Sequence, residues 1–402
     1  MYIKTFDNVG NYVADFQEIT ADVISLGNIA QQLDNSEYDL GIFRNGGFSL
    51  KLKNTNGKFS NVDDTRSIFR ARRAGAQVKV TWDIRDNDLI CGFFNCGEVI
   101  LGEQVIIYEG LLSDIVSQST INDQTIDFKI QGFESLFDTT SVPFASLSNG
   151  DLVSAVIFDC LNQSGITDLV TVSLPNITPN LDLVVDFVAS LENKTVKEAL
   201  DSILLISNSV LYIKDRVIYV TSRAPGAALV YTFYGQASTA GIENIIDIKK
   251  YRDGLNRTFN FVNWKDNSQY SRDLSSIDRY GVLKKEVQSD TIDQAATVKI
   301  QSILDSLQTE FAFPKTEMDL ETPLNYATLA LSLLDKVNID YPSVFESANN
   351  DPIPRYGQNL YGQAVYPFGQ FSLTIDASLR FKILSKKIDT SKQLISFGLR
   401  RI

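Results

Sequence analysis

Short segments in which apolar and polar residues alternate constrain the fold of this 402-residue chain more than any other feature. Phe48–Lys53 reads Phe-Ser-Leu-Lys-Leu-Lys, and the same alternation recurs at 77–82 and at Thr125–Gln131. Successive side chains of a β-strand point to opposite faces of the sheet, so each segment predicts a strand with one buried and one solvated face. Several such strands separated by turn residues predict an antiparallel sandwich or barrel over residues 1–145.

The next part of the chain, residues 146–239, changes to helical spacing. Leu152, Val156 and Cys160 recur every four residues, as on the buried face of a helix. Thr-Val-Lys-Glu at 195–198 has the pattern of a capping box that begins a second helix. Two short apolar runs around Lys214 and Asp215 then predict a hairpin. We therefore expect a small α+β module here.

Residues 240–402 return to strands, with one amphipathic helix predicted over 290–309 and closing strands at 379–384 and 394–399. A long irregular stretch, 342–370, separates the helix from the closing strands and is rich in proline, glycine and tyrosine. Its tyrosines include Tyr356, Tyr361 and Tyr366. Loops of this length are usually functional or disordered. Two interpretations stay open, a loop that contacts a partner or receptor component and a mobile surface loop.

Charge and composition exclude some functions. The 24 Phe and 16 Tyr favour pleated, half-buried surfaces. A net charge of −12 argues against a nucleic-acid clamp and against docking on an anionic membrane. No run approaches the ~18 uninterrupted apolar residues of a membrane span. The first residues lack a basic segment followed by an apolar one, so we expect synthesis and assembly in a cytosol.

The chain contains no histidine, which rules out Ser-His-Asp, Cys-His and His-Glu-x-x-His devices. Cys91 and Cys96 have zinc-like spacing but no further ligands nearby, so we interpret the cysteines as core thiols. Paired carboxylates could still serve a glycosidase, and the candidates are Asp63 with Asp64, Glu98 with Glu103, and Glu317 with Asp319. Among 49 acidic residues such pairs are expected by chance on solvated faces. We predict no enzyme activity, no cofactor and no metal.

The order of several segments resembles the baseplate or tail hub proteins of tailed bacteriophages and of related contractile injection systems. The segments are Gln-Val-Lys-Val-Thr-Trp at 77–82, Val-Ile-Ile-Tyr-Glu-Gly-Leu-Leu-Ser-Asp at 105–114, the strand and short helix at 125–137, the helix and hairpin at 195–223, Ser-Ile-Asp-Arg-Tyr-Gly at 276–281, and the closing strand at 397–402. The family-marker residues are Ser276, Ile277, Tyr280 and Gly281. Together these segments cover most of the chain.

The resemblance implies a mainly β fold with an α+β insertion. Two tube-like β-barrel or sandwich domains, 1–145 and 240–402, would flank the helix-plus-hairpin module 146–239. It also implies a homotrimer whose domains form a pseudo-sixfold ring. That ring would join the hexameric tail tube or distal tail proteins to a threefold tip, spike or fibre protein in the virion, and DNA would pass through without specific binding.

Two other functions remain. A distal tail protein that carries adhesins would be hexameric rather than trimeric, and a tail-associated cell-wall hydrolase would depend on carboxylates. If the chain forms a ring, an acidic lumen would repel DNA and let it slide.

Overall fold

The computed structural model describes residues 1–33, 41–60, 65–72, 74–83, 104–117, 124–142, 148–163, 165–223, 228–235, 244–252, 254–341, 375 and 378–402. The fold is mainly β, as predicted, with several sheets and a smaller number of helices. Among the described residues, no helix combines the length and apolar character needed to cross a membrane.

The first sheet has seven strands in the order β2-β1-β7-β8-β9-β6-β3. Its alternating strands place one side in a core, as in β9, where Ile126, Phe128 and Ile130 are buried. The strand bounds are β1 Tyr2–Lys4, β2 Gln17–Glu18, β3 Val23–Leu26, β6 Phe48–Lys53, β7 Gln77–Asp83, β8 Gln104–Ser117 and β9 Thr125–Gln131.

The second sheet has ten strands. Eight follow the order β11-β10-β5-β4-β19-β20-β17-β13, while β18 pairs with β19 and with β12. The bounds are β4 Ile29–Leu33, β5 Gly41–Asn45, β10 Ser209–Lys214, β11 Val217–Ser222, β12 Leu229–Tyr234, β13 Asp247–Arg252, β17 Glu317–Pro323, β18 Lys336–Asp340, β19 Arg380–Asp389 and β20 Leu394–Arg401. The sheet thus takes strands from all three predicted segments, and the boundaries at 145 and 239 stay a prediction.

Helices α1, α2, α3 and α5, the hairpin of β10 and β11 and a three-stranded sheet, ordered β15-β14-β16, pack around a separate core and together are called the helical module. This core contains Val156 of α2, Leu200 of α3 and Leu304 of α5, and it also contains the buried Cys160. Each such aliphatic side chain contributes roughly 1.5–3 kcal/mol when removed from water. The bounds are α1 Leu136–Thr139, α2 Val153–Gln163, α3 Val196–Ile206, α4 Leu274–Tyr280, α5 Thr297–Phe311, α6 Tyr326–Ala330, β14 Phe261–Trp264, β15 Tyr270–Arg272 and β16 Lys284–Val287.

The two large sheets repeat one strand order. In the first, the strands lie side by side in the order β1-β7-β8-β9-β6-β3, and in the second in the order β12-β18-β19-β20-β17-β13. Numbered by their order along the chain, the six strands of each set occupy the same positions. Every pairing from β7 to β3 is antiparallel, and so is every pairing from β18 to β13. The outermost pair differs, because β1 runs antiparallel to β7 while β12 runs parallel to β18. The chain therefore contains two similar β units, β1 with β3 and β6–β9 and β12 with β13 and β17–β20, which share one strand order and differ in the direction of the outermost strand.

Most elements predicted from periodicity lie where expected, with shifted ends. The capping box is present, with Thr195 and Glu198 each accepting from the other's backbone N–H. The long helix begins at Thr297 rather than 290, because the residues before it form turns in which Asp293 accepts from the Ala295 N–H at 2.9 Å. Strand β14 begins at Phe261, after a short 3-10 turn at Leu255–Arg257.

Candidate assembly interface

One long hairpin crosses from the first sheet to the second. Its outgoing arm is β3 followed by β4, and its returning arm is β5 followed by β6. Leu26 lies opposite Leu50 and Gln31 lies opposite Asn45, so one register runs through both halves. The half nearest the first sheet pairs with β9 through β6, and the other half belongs to the second sheet.

The far half of the hairpin completes the second sheet by strand addition. β4 pairs antiparallel with β19, from Ile29 opposite Ile388 to Gln32 opposite Ser385. On its other side, β5 pairs in parallel with β10 of the helical module. The run Gly-Ile-Phe at 41–43 is buried throughout, with Ile42 in the helical core and Phe43 in the β core. Main-chain pairing and apolar burial on both faces therefore hold this hairpin between the two units.

Glycines let the hairpin pass close to β9 where it leaves the first sheet. A Cβ atom on Gly47 would lie 2.8 Å from the carbonyl oxygen of Ile130, and one on Gly46 would lie 3.1 Å from the carbonyl oxygen of Ala30. A carbon and an oxygen atom repel each other at 2.8 Å, so position 47 requires glycine, which has no Cβ atom.

Polar contacts fix β5 against the short helix that follows β9. Arg44 donates to both carboxylate oxygens of Asp138, at 2.7 and 2.8 Å. Asn45 donates from Nδ2 to Glu134 Oε1 at 3.1 Å and accepts from Gln31 Nε2 at 2.5 Å. Glu134 is only 1% exposed, and this burial raises its pKa to about 7. Part of the hairpin's anchorage thus depends on a carboxyl group that titrates near neutrality.

A cleft of about 540 Å³ lies where the hairpin, the first sheet and the helical module meet. Arg216, in the turn between β10 and β11, lies on one wall and forms an ion pair with Glu109 of β8. Lys386 of β19 lies on another wall, where its Nζ donates to the carbonyl oxygens of Leu329 and Leu331 at 2.5 and 2.9 Å. Burial lowers the pKa of Lys386 to about 8. These contacts tie the cleft walls together.

One candidate carboxylate pair differs from its predicted setting on a solvated face. Glu317 is only 4% exposed and lies among three arginines, with oxygen–nitrogen distances of 3.1 Å to Arg257, 3.5 Å to Arg252 and 4.0 Å to Arg400. Asp319, two residues on, forms an ion pair with Lys250 at 2.9 Å. The ion pairs of Arg252 with Glu317 and of Lys250 with Asp319 join β13 to β17. The other two candidate pairs, Asp63 with Asp64 and Glu98 with Glu103, lie outside the described residues.

A second ion cluster lies where the helical module meets the second sheet. Glu310 of α5 contacts Lys315 at 3.1 Å, Lys382 at 3.3 Å and Arg223 at 4.0 Å. Burial alone would raise the pKa of Glu310, but the surrounding cations hold it at about 2. No local pattern in the sequence indicates this cluster, because its residues come from three separate segments, at 223, 310–315 and 382.

The family-marker residues lie in α4 and its C-terminal end, away from the long hairpin. Asp273 caps the helix by accepting from the Ser276 N–H at 2.8 Å. The hydroxyl of Ser276 is buried and donates to the carbonyl oxygen of Ala312, and Asn260 donates to the Gly281 carbonyl oxygen at 2.7 Å. Ile277 and Tyr280 are half-buried, and Gly281 has a φ of +77°. The segment holds α5 to the three-stranded sheet, and its role in assembly stays a prediction.

The second predicted site, Tyr356, Tyr361 and Tyr366, lies outside the described residues, as do Cys91 and Cys96. Sequence reasoning missed the β3–β6 hairpin as the element that joins the two units. Its one available signal was the apolar run Gly-Ile-Phe at 41–43, which departs from alternation because both faces are covered.

Solved structures with the same fold are tail proteins. The 43 kDa tail protein of prophage MuSo2 from Shewanella oneidensis matches with a TM-score of 0.50 and 10% identity, covering 99% of this chain and 97% of that one. The tail protein from Neisseria meningitidis MC58 matches with a TM-score of 0.52 and 10% identity, covering 100% and 95%. This chain has the tail-protein fold. No protein-family model and no curated protein sequence matches the chain.

The match extends over nearly the whole length of both partners, so the tail-protein fold includes both β units and the helical module between them. The resemblance read from the order of sequence segments is confirmed at the level of the fold. At 10% sequence identity, the structural similarity shows the fold alone.

Proposed function

We propose that this protein is the structural hub of a phage tail tip or baseplate, and that three copies form a ring of six similar β units. The observation that carries the proposal is the repeated strand order of the two large sheets within one chain. A chain with two equivalent units meets a sixfold tube when three copies close, and it meets a threefold tip through the parts of the chain that are not repeated.

The contact between the two units supports a ring. The first unit donates β4 to the edge of β19 in the second, so neighbouring units are joined side by side through a continuous sheet. Repeating that relation around an axis would join the units of neighbouring chains into one closed ring. Closure is a recurrent solution for β proteins, because exposed strand edges promote aggregation.

The charge of the chain suits a channel for DNA in transit. A net charge of −12 disfavours lasting contact with phosphates, and we infer that part of this charge lines the bore. The partners of such a ring are the tail tube or distal tail proteins above and tip, spike or fibre proteins below, in a virion assembled in the host cytoplasm. The tyrosine-containing stretch 342–370 is proposed to contact one of these partners.

The proposed role is non-enzymatic. The described candidate carboxylates Glu317 and Asp319 form ion pairs with arginine and lysine, which suits a scaffold better than an acid–base pair. A zymogram on peptidoglycan tests this directly, and a zone of clearing would favour the cell-wall hydrolase.

Native mass spectrometry and electron microscopy test the ring. We expect a mass three times 44.8 kDa and particles with a central opening wide enough for double-stranded DNA. A hexamer would favour the distal tail protein. A protein that stays monomeric at all concentrations, also when mixed with tail-tube subunits, would contradict the proposal.

A further inference from the structure

The repeated units define how two copies of the chain meet. We propose that the end of β13 in one copy, at Arg252, meets residues 114–117 of β8 in the next copy. This contact would repeat, between chains, the addition of β4 to β19 within the chain. The inference rests on the proposed ring and adds the strands and register that close it.

The first step is to find the counterpart of the β4-binding edge. At the start of β18, Leu334 has a φ of +67° and its N–H donates to the Ile383 carbonyl oxygen at 2.8 Å. At the start of β7, Gly75 has a φ of +83° and its N–H donates to the Leu112 carbonyl oxygen at 2.8 Å. Leu112 in β8 is therefore the counterpart of Ile383 in β19.

This equivalence locates the edge on β8. In β19 the residues that bind β4 are 385–388, which begin two positions after Ile383. The same count from Leu112 gives 114–117 in β8. The paired stretch of β7 starts at Gln77, opposite Leu111, so it does not reach these residues. Their β9 side is occupied, with Val116 opposite Phe128, and no described strand pairs with them on the other side.

The second step is to find the counterpart of β4. Phe48 and Met318 are equivalent, since they pair with the equivalent residues Ile130 and Leu399. Glu317 then corresponds to Gly47. In the hairpin register Ile29 is the residue opposite Gly47, and in the second unit Arg252 is opposite Glu317. Arg252, at the end of β13, is therefore the counterpart of Ile29, where β4 begins.

The edge of β13 has the character of an uncovered interface. Among the described residues β13 pairs with β17 alone, and its other edge ends the sheet. Three large apolar side chains in and beside the strand are exposed: Ile246 at 54%, Tyr251 at 49% and Leu255 at 40%. An apolar strand edge in water invites pairing with another strand. The second unit carries residues 254–316 where the first carries its hairpin, so the equivalent contact must use the end of β13 itself.

The register follows from the two equivalences. Ile29 lies opposite Ile388, so Arg252 of one copy is expected opposite Ser117 of the next. β8 shifts register against β9 by one residue more than β19 does against β20, which leaves a tolerance of one residue. The counterpart edges are thereby fixed to a short segment on each chain.

Disulfide cross-linking tests the contact in the full-length protein. Arg252→Cys is combined in turn with Ile115→Cys, Val116→Cys and Ser117→Cys, in a background carrying Cys91→Ser and Cys96→Ser. Cys160 is retained because it is only 1% exposed. A control for chemistry is Gln32→Cys with Ser385→Cys, which lie opposite each other within the chain. A mismatched control is Ser117→Cys with Val298→Cys, since Val298 is 79% exposed on α5.

We expect covalent dimers and trimers on non-reducing gels for at least one matched pair, in about tenfold excess over the mismatched pair, because adjacent cysteines have a high effective concentration. A trimer by native mass spectrometry without this excess, while the Gln32 and Ser385 control closes, would overturn the proposed contact and leave the hub standing. A monomer without cross-links would remove both proposals.

Discussion

Arg216 and Glu109 form a two-point ion pair that links the helical module to the first sheet. Arg216 Nε donates to Glu109 Oε2 at 2.7 Å, and Arg216 Nη2 donates to Oε1 at 2.8 Å. The residues are 107 positions apart in sequence and belong to the β10–β11 turn and to β8. The pair therefore fixes the orientation of the module beside the cleft that receives the hairpin.

Breaking this pair is expected to destabilise the protein modestly. A double-mutant cycle of Arg216→Ala and Glu109→Gln should give a coupling free energy of about 1 kcal/mol, because the bonds are charge-assisted but the Arg216 side chain is partly solvated. Urea denaturation measures it. The matched control is Lys392→Ala, whose ion pair with Asp389 is long, at 3.9 Å, and exposed on the lysine side. If Lys392→Ala lowered the free energy of unfolding as much as Arg216→Ala does, the stabilising role of the Arg216–Glu109 pair would be contradicted.

Glu134 predicts a pH dependence of stability. Its folded pKa, about 7, lies above the unfolded value of 4.5, so the folded state binds more protons between these values. Stability contributed by the protonated carboxyl is full below pH 4.5 and is lost as pH rises through 7. Glu134→Gln keeps an acceptor for Asn45 and removes the charge. It should raise the free energy of unfolding at pH 8 by on the order of 2 kcal/mol and change it little at pH 4.5.

The measurement is urea denaturation at both pH values, with Asp278→Asn, on the exposed face of α4, as the matched control. A Glu134→Gln variant whose stability relative to the natural protein does not change with pH would refute the role of this carboxyl group.

Gly47 is expected to be intolerant of any side chain. Gly47→Ala brings a methyl group to 2.8 Å from the Ile130 carbonyl oxygen, and the backbone of β6 or β9 must shift to relieve it. We expect a loss of about 1–3 kcal/mol in the free energy of unfolding. Ser49→Ala, on the exposed face of the adjoining strand β6, is the control and should stay within about 0.5 kcal/mol. Thermal and urea denaturation report both, and a neutral Gly47→Ala would show that the strands are not packed as described.

The capping box of α3 supplies a prediction that needs no tertiary contact. Thr195→Ala removes the oxygen that accepts from the Glu198 N–H at 3.2 Å and should cost about 1 kcal/mol. Thr195→Ser keeps the hydroxyl and should recover most of that loss. Circular dichroism during urea denaturation distinguishes the two variants, and equal stability would contradict the cap.

Local patterns in the sequence predicted many of the elements correctly. The strands β6, β7 and β9, the capping box at Thr195 and the hairpin of β10 and β11 all depend on interactions within a few residues. Alternation and helical spacing report which face of an element is buried, and this information is local. The absence of histidine likewise limited the possible chemistry without any knowledge of the fold.

The partners of those strands were decided only by the tertiary structure. Nothing in the residues around Ile29 indicates that they pair with Ile388, or that Arg252 stands where Ile29 stands in the other unit. The two β units share strand order without visible sequence repetition, because backbone hydrogen bonds form a sheet with many different side chains. Glu317 among its arginines and Glu134 beneath the hairpin follow the same rule, since burial of a charge depends on segments that only folding brings together.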